Sequence, residues 1–377
     1  MMAAFPITML KLIRLAALTL LASAIATPHY IHAQPEPKPF RVVIAGLVHG
    51  HVAGFLSAAQ KRRDIQIVGI AEPDERVAKR YADEFKLESN LLYSDLDRML
   101  ENLKPQAVLA YSDTREHRRV VEIAARHHIP VMMEKPLAVS LDDALAIKRA
   151  ADAANITVLV NYETTWYPSN IAVSKLLAEG ALGDIRKVVI HDGHNGPKEI
   201  GVQPEFLDWL TDPRRNGGGA LFDFGCYGAD LMTWLMQGET PSTVTAVLQQ
   251  MKPQIYSRVD DEATVIVTYP TAQAIFQASW NWPFGRKDME VYGETGQAIT
   301  VGRDAVRVRR QQDKEEHTEM AQAVPSPYDD SISYLIAVVS GKIKPAGLSD
   351  LDTNVTVVRI LSAARESART GQTVKLP

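Results

Sequence analysis

The chain has 377 residues, of which 46% are hydrophobic and 23% charged, and a formal net charge of −4. This length is too great for one ordinary hydrophobic core, so two domains are expected, and the composition is that of a soluble globular protein. The basic residues are scattered, which excludes nucleic acid as a predicted partner, and the single cysteine, Cys226, excludes an internal disulfide.

The N-terminus has the features of a Sec-type signal peptide. Lys11 and Arg14 precede an apolar run at 15–26, and small residues that suit a signal peptidase follow. The run is short for a stable membrane span, and an N-terminal anchor helix is the alternative. We therefore predict that residues 1–34 are a signal peptide and leader. The mature chain is then periplasmic or secreted, with no membrane-spanning segment.

Strands alternate with helices between residues 35 and 160. Apolar, β-branched runs predict strands at 40–45, 65–71, 107–111, 129–133 and 156–160. Helical patterns lie between them, including those at 75–85 and 141–153. The alternation predicts a Rossmann-type, doubly wound parallel sheet, in which ligands bind at the carboxyl ends of the strands.

The turn after the first strand is an imperfect dinucleotide-binding fingerprint. Gly46, Val48 and His51 occupy the three glycine positions of Gly-x-Gly-x-x-Gly. Glu72, at the end of the second strand, stands where an acid accepts the ribose 2′-hydroxyl, which favours NAD over NADP. The two missing glycines leave open whether a dinucleotide binds here in altered geometry or not at all.

Two further polar features follow strands at the same edge. Ser112 follows the strand at 107–111, and Glu134-Lys135-Pro136 ends the strand at 129–133. A lysine in this place can reach over a bound ligand, and the fixed φ of Pro136 stiffens the backbone beside it. The alternative interpretation is a strand end with a surface ion pair.

Residues 161–377 predict a second domain. A strand is expected at 185–191, and a helix is expected from Ala220 onwards, after the glycines at 217–219. Asp223 and Tyr227, four residues apart, would share one face of that helix and project into one pocket. A capping acid and a core tyrosine are the alternative.

Alternating patterns in the second domain predict antiparallel strands at 244–249, 262–269, 274–280, 288–292, 298–301 and 305–310. Helices are predicted at 328–340 and 352–368. The predicted fold class is therefore α/β, with an N-terminal doubly wound parallel sheet and a C-terminal α/β domain that has a large, mostly antiparallel open sheet.

Several motifs together resemble those of the glucose–fructose oxidoreductase / inositol dehydrogenase / MocA (Gfo/Idh/MocA) family. They are Glu134-Lys135-Pro136, the three glycines followed by Asp223-x-Gly225-x-Tyr227, Trp280 in an Ala-Ser-Trp strand, and Glu366-Ser-x-x-x-Gly371. The resemblance covers residues 40–377. It implies bound NAD(P), an open sheet used to form a homo-oligomer, and hydride transfer at a sugar or cyclitol hydroxyl. A minority of the family hydrolyse glycosides through a transient keto sugar.

The resemblance also implies roles for individual residues. Lys135 would polarise the reacting oxygen and exchange its proton, Asp223 would orient the substrate or tune the lysine, and Tyr227 would be the acid/base. A lysine close to a cationic nicotinamide and shielded from water is expected to have a lowered pKa.

The residues expected to contact the cofactor lie in the first half of the chain: Gly46, Val48, His49, His51, Glu72, Ser112, His117, Glu134 and Lys135. The residues expected to bind substrate are His191, His194, Trp166 and Trp209. No metal site is predicted, because the closely spaced histidine pairs lack a carboxylate partner by spacing.

Three functions are consistent with the sequence. The first is an exported NAD-dependent oxidoreductase that acts on a hydroxyl of a sugar or glycoside. Free NAD is scarce outside the cytoplasm, so this enzyme would hold its cofactor tightly. The second is an NAD-dependent glycoside hydrolase. The third is a non-catalytic carbohydrate-binding protein of the same fold, which the incomplete fingerprint supports.

Overall fold

The computed structural model describes residues 38–377, so the predicted signal peptide and leader at 1–34 lie outside the described residues. Within the described range, no helix is both long enough and apolar enough to cross a membrane.

The first sheet of the described chain has six parallel strands in the spatial order β3-β2-β1-β4-β5-β6. The strands are β1 (Phe40–Ala45), β2 (Ile65–Ala71), β3 (Leu92–Tyr93), β4 (Ala107–Ala110), β5 (Val131–Glu134) and β6 (Val158–Asn161). The intervening helices are α1 (Val52–Ala59), α2 (Glu75–Phe85), α3 (Leu96–Leu103), α4 (Glu116–Arg126) and α5 (Leu141–Ala154). Val42, Val43 and Ile44 are fully buried, as expected for a strand covered by helices on both faces.

The second sheet has nine strands within residues 38–377, in the order β14-β13-β12-β11-β7-β10-β9-β8-β15. They are β7 (Ile185–Gly193), β8 (Thr243–Gln249), β9 (Glu262–Thr268), β10 (Gln273–Ser279), β11 (Arg286–Gly293), β12 (Gly296–Val301), β13 (Ala305–Arg310), β14 (His317–Met320) and β15 (Val374–Lys375). β7 and β10 pair in parallel, and the other pairs are antiparallel. The predicted fold class is confirmed. The short strands β3 and β14 were not predicted, because neither has a clear apolar alternation.

The helices of the second half are α6 (Pro168–Ala178), α7 (Pro204–Leu210), α8 (Pro213–Asn216), α9 (Ala220–Asp223), α10 (Gly225–Leu235), α11 (Ser331–Val339) and α12 (Leu351–Thr370). α10 packs against α12 and β10, and α12 packs against β8, so these two helices cover one face of the second sheet. The predicted domain change at 160–161 falls at the end of β6. It stays a prediction, because residues 39–377 form one compact unit.

The single helix predicted from Ala220 is two helices, and this prediction was wrong. Phe224, with φ −113° and ψ −33°, interrupts the helix between α9 and α10. The glycines at 217–219 allow neighbouring residues to approach the backbone closely. A methyl group at Gly219 would lie 1.8 Å from the carbonyl oxygen of Asp260, so only glycine fits there. Asp223 therefore ends one short helix, and Tyr227 lies in the first turn of the next.

Two helical glycines give a matched test of this packing. A methyl group at Gly228 in α10 would lie 2.6 Å from Cγ of Phe276 in β10, whereas one at Gly54 in α1 would meet nothing within 4 Å. We expect Gly228→Ala to lower the free energy of unfolding by about 1–3 kcal/mol through overpacking. Gly54→Ala should raise it by about 0.5–1 kcal/mol. Urea unfolding followed by circular dichroism checks both, and equal effects would contradict the described packing of α10.

Candidate active site

A cavity of about 850 Å³ lies at the carboxyl edge of the first sheet, a volume that suits a large organic ligand. Gly46, Val48, Glu72 and Ser112 line it, so four of the predicted cofactor residues lie in one wall. Gly46 has φ +84°, and a methyl group there would lie 2.7 Å from Cα of Ser112. The one fingerprint glycine that the chain retains is thus the one that the turn requires.

Glu72 is buried in the same wall and fixes the turn. Its Oε2 accepts a hydrogen bond from the amide of Leu47 at 2.7 Å, and its Oε1 accepts one from the amide of Asp74 at 2.9 Å. Burial raises the pKa of Glu72, and the two amides partly oppose that effect. The carboxylate remains at the cavity surface, where an acceptor for a ribose hydroxyl was predicted.

His49, His51 and Glu134 form a hydrogen-bonded cluster. Nδ1 of His51 donates to Oε2 of Glu134 at 2.9 Å, Nδ1 of His49 accepts from the amide of His51 at 3.2 Å, and Asn161 donates to Oε1 of Glu134 at 2.9 Å. Burial favours the neutral acid, yet His51 lowers the pKa of Glu134 to about 2. The ligand atoms lie within 4.8 Å of one another. Glu134 thus supplies the histidine pair with the carboxylate partner that the spacing in the sequence did not show, and the absence of a metal site stays a prediction.

His117 braces the loop that carries Lys135. Its Nδ1 donates to the carbonyl of Pro136 at 3.1 Å, and the ring is fully buried. Burial lowers the pKa of His117, so the ring is neutral near pH 7. This histidine therefore positions the backbone that follows β5.

Lys135 forms a buried ion pair with Asp223, and the two residues come from different halves of the chain. Nζ of Lys135 donates to Oδ1 of Asp223 at 2.6 Å and to its backbone carbonyl at 2.9 Å. The indole N–H of Trp280 donates to Oδ2 of Asp223 at 3.0 Å. Only 5% of each of Lys135 and Asp223 is exposed, so the surface ion pair considered for Lys135 is wrong.

The direction of the lysine pKa differs from the expectation. Burial alone would lower the pKa of Lys135, but the Asp223 carboxylate outweighs it, and the pKa is raised. Burial would likewise raise the pKa of Asp223, and Lys135 holds it below its ordinary value. The expected lowering of the lysine pKa is therefore wrong for this structure. At neutral pH, Lys135 is an ammonium and Asp223 a carboxylate.

Tyr227 lies between two lysines. Nζ of Lys135 is 5.1 Å from the centroid of its ring, and Nζ of Lys287 is 4.8 Å from it. The ring also packs edge-on against Tyr162, with centroids 5.3 Å apart. Burial raises the pKa of Tyr227 well above its ordinary value, so the phenol keeps its proton at neutral pH. Tyr227 is thus a core tyrosine that also contacts the Lys135 site.

Lys287, Asp192 and Glu163 belong to this cluster and were missed from the sequence. Lys287 in β11 pairs across the sheet with Asp192 in β7, and its Nζ donates to Oε2 of Glu163. Asp192 follows Val188 and Ile190 at the period of a strand, and all three are buried. That alternation was a signal for Asp192 in the sequence. The pairing of Lys287 with Asp192 has no local signal.

The same alternation places His191 away from the cluster. Its side chain points to the face opposite to that of Asp192, and its Nδ1 lies 3.2 Å from Oδ1 of Asp288 without hydrogen-bond alignment. His194 is on the Asp192 side. Its Nδ1 accepts from the amide of Gly196 at 2.9 Å, and burial lowers its pKa, so the ring is neutral. Of the two histidines predicted to bind substrate, only His194 lies beside the Lys135 site.

The two predicted tryptophans are packing residues. The indole N–H of Trp166 donates to Asn161 at 2.9 Å, and its ring packs near Tyr334. The indole N–H of Trp209 donates to the carbonyl of Val48 at 3.0 Å, and the residue is fully buried. Neither indole has an N–H left for a sugar. Both instead support the walls of the site.

A segment of the second half closes the outer side of the large cavity. Pro204, Glu205, Asp208 and Arg215 line it from that side. Arg80 in α2 forms a two-pronged ion pair with Glu205 in α7, and Nε of Arg215 donates to Asp113 at 2.7 Å. We call residues 204–215 the strap. These contacts hold the strap across the cavity.

Comparisons with known proteins agree with this arrangement. Residues 40–162 match the family model described as an oxidoreductase family with an NAD-binding Rossmann fold. Residues 171–299 match the model described as the GFO/IDH/MocA C-terminal domain.

Among curated proteins, the trans-1,2-dihydrobenzene-1,2-diol dehydrogenase of Oryctolagus cuniculus is 27% identical over 231 residues, which are 61% of this chain and 65% of that enzyme. The Homo sapiens enzyme of the same name is 25% identical over 231 residues, 61% of this chain and 64% of its own length. The chain thus spans less than two thirds of the length of these relatives.

Solved structures show the same fold. The aldose-aldose oxidoreductase from Caulobacter crescentus, complexed with glycerol, superposes with a TM-score of 0.75 at 22% identity, over 90% of this chain and all of that one. An inositol dehydrogenase homologue from Azotobacter vinelandii, complexed with NAD+, has a TM-score of 0.74 at 19% identity, over 90% and 98% of the two chains.

The cavity at the carboxyl edge of the first sheet therefore belongs to an NAD-binding Rossmann domain. With residues 40–162 and 171–299 matched, the chain is a member of the GFO/IDH/MocA oxidoreductase family.

Proposed function

We propose that this protein is an exported NAD-dependent dehydrogenase that oxidises a hydroxyl of a sugar or glycoside and holds its cofactor tightly. The observation that carries the proposal is the buried Lys135–Asp223 pair. Lys135 follows β5 at the same carboxyl edge of the first sheet as the NAD cavity, which Gly46 and Ser112 line. The names of the relatives and of the structural neighbours, a diol dehydrogenase, an aldose oxidoreductase and an inositol dehydrogenase homologue, support a polyhydroxyl substrate.

The bound cofactor supplies the hydride acceptor, and the chain's own residues arrange the substrate oxygen. Because Asp223 keeps Lys135 protonated, Nζ acts as a fixed cation that polarises the reacting hydroxyl and stabilises negative charge developing on its oxygen. Trp280 fixes the other oxygen of Asp223, which sets the direction of the lysine. The buried surroundings exclude water, which strengthens each of these interactions.

The cations of the site are balanced by nearby acids. Lys135 faces Asp223, and Lys287 faces Glu163 and Asp192. A neutral polyhydroxyl substrate suits such a balanced site, because its hydroxyls can both donate to the carboxylates and accept from the ammonium groups. The intact cluster weighs against the non-catalytic carbohydrate-binding alternative.

Tight retention is supported by the strap. An exported enzyme that released NAD would lose it to the dilute exterior, and the Arg80–Glu205 and Arg215–Asp113 contacts close the cavity from outside. Export itself is proposed on the predicted signal peptide at 1–34.

The direct experiment is to denature the purified mature protein and to assay the released nucleotide. The proposal expects NAD in a substantial fraction of molecules and reduction of bound NAD by at least one member of a panel of sugars and glycosides. Hydrolysis of a glycoside with no net reduction would favour the glycosidase alternative. Failure both to contain NAD and to bind added NAD would refute both enzyme functions.

Lys135→Met tests the proposed role of the ammonium group. Losing the cation that polarises the reacting hydroxyl should lower kcat by about 10²–10³-fold, while the equilibrium binding of NAD changes little. Lys175→Met, on the exposed face of α6, is the matched control and should leave kcat unchanged. Fluorescence titration with NADH measures binding. Normal turnover by the Lys135 variant would refute the assignment.

Arg80→Met tests the strap. Removing the half-exposed ion pair with Glu205 should speed NAD release by about five-fold, equivalent to about 1 kcal/mol. Arg76→Met is the matched control, since Arg76 is on the same helix and lines the same cavity, and its one ion pair within residues 38–377 is with Asp74 of its own helix cap. Stopped-flow displacement of NADH measures both rates. Equal release from the two variants would contradict a retaining role.

A further inference from the structure

Asp192 is a buried acid whose hydrogen bonding is incomplete. The residue is 2% exposed, and its Oδ1 has no hydrogen-bond partner among the described residues. The hydrogen bonding of Thr164 is also incomplete, since its buried Oγ1 lacks a partner within residues 38–377. Both residues line a cavity of about 10 Å³, and Lys287, His191 and Asp288 line it as well. That volume is close to the minimum for one water molecule, and two polar groups without partners are what such a water needs.

Many ionisable groups act on Asp192 from the surrounding elements: Lys287, Lys135, Asp223, Glu163, Tyr167, Cys226 and Tyr227. Burial raises the pKa of Asp192 well above its ordinary value, while the two lysines act in the opposite direction. Its protonation state therefore depends on the balance between burial and nearby positive charge. A change of one charge in the site shifts that balance.

The dehydrogenase reaction requires a place for one proton. Oxidation breaks the C–H bond, whose electron pair leaves with the hydride to NAD, and it breaks the O–H bond, whose proton must go elsewhere. Lys135 and Tyr227 already hold their protons at neutral pH. Asp223 is a carboxylate, but Lys135 and Trp280 occupy its two oxygens. Asp192 is the nearby carboxyl group without such partners.

We propose that Asp192 stores the proton lost by the substrate hydroxyl, and that one water bound between Asp192 Oδ1 and Thr164 Oγ1 completes its hydrogen bonding. The Asp192 carboxylate would be favoured by the one positive charge that oxidised nicotinamide would bring to the site. Asp192 would then take up the hydroxyl proton once hydride transfer had removed that charge. The net charge of the site is unchanged, so no ion has to enter or leave the buried site during the chemical step. Asp192 is thus a positioning and proton-holding residue, and this role rests on the proposed dehydrogenase function.

Infrared spectroscopy of the mature protein detects the C=O stretch of a protonated carboxyl group directly. We expect such a band in the nucleotide-free protein and in the NADH complex, its loss when NAD+ is added, and its absence from Asp192→Asn. Calorimetric titration with NAD+ in two buffers of different ionisation enthalpy counts released protons. The wild type should release about one proton more per site than Asp192→Asn does.

Three variants complete the test. Asp230→Asn removes a second buried carboxyl, in α10, whose band should not respond to NAD+. Lys175→Met, on the exposed face of α6, is the remote control and should leave proton release as in the wild type. Thr164→Val deletes a partner of the bound water and should raise the pH at which the Asp192 band disappears. This third variant keeps the test decisive if Asp192→Asn does not fold.

The outcomes separate this inference from the proposed function. A carboxyl band that NAD+ does not remove, equal proton release by Asp192→Asn and the wild type, or no shift in Thr164→Val would each overturn the role of Asp192, even in an active dehydrogenase. An NAD+-dependent loss of the Asp192 band in a protein that oxidises no sugar would support the linkage to cofactor charge, and only the proposed function would fail.

Discussion

Taking the Lys135 ammonium and the Asp223 carboxylate out of water costs several kcal/mol for each ion, and only near-ideal geometry offsets that cost. The structure provides this geometry with a 2.6 Å contact, a second bond from Nζ to the Asp223 carbonyl, and the Trp280 indole on the remaining oxygen. Lys135 follows β5 of the first sheet, and Asp223 ends α9 beside the second. The pair therefore joins the two halves of the chain. The active site forms only when the two halves pack so that Lys135 and Asp223 are in contact.

The glycines before Asp223 allow the close packing that positions it. Gly219 lets the backbone approach Asp260, which accepts hydrogen bonds from the amides of Gly219 and Leu221 and so anchors the start of α9. The break at Phe224 then turns α10 so that Tyr227 lies between Lys135 and Lys287. A continuous helix would have given the aspartate and the tyrosine a fixed spacing. Two short helices give each residue its own orientation toward the lysines.

Local patterns in the sequence were sufficient for the fold class and for the strand edge at which Gly46, Glu72, Ser112 and Lys135 meet, because parallel strands bring their carboxyl ends together. They were insufficient for residues that meet only because strands far apart in the sequence pair with each other. Lys287 becomes part of the site only through the pairing of β11 with β7. Asp192 and His191 are adjacent in β7 and point to opposite faces, so a difference of one residue decides which side chain lies beside Lys287. The direction of the Lys135 pKa depended on the distance to Asp223, which no sequence pattern contains.

The proposed chemistry requires that Asp223 hold Lys135 as a cation inside the protein. The most direct measurement is a pH titration of the side-chain ¹⁵N resonance of Lys135 by NMR, in the wild type and in Asp223→Asn. The structure predicts an ammonium group whose pKa is above that of a free lysine in the wild type and falls below it in the variant, because the main charge that opposes the effect of burial is then removed. A neutral amine near pH 7 in the wild type, or a pKa that the variant leaves unchanged, would contradict the account.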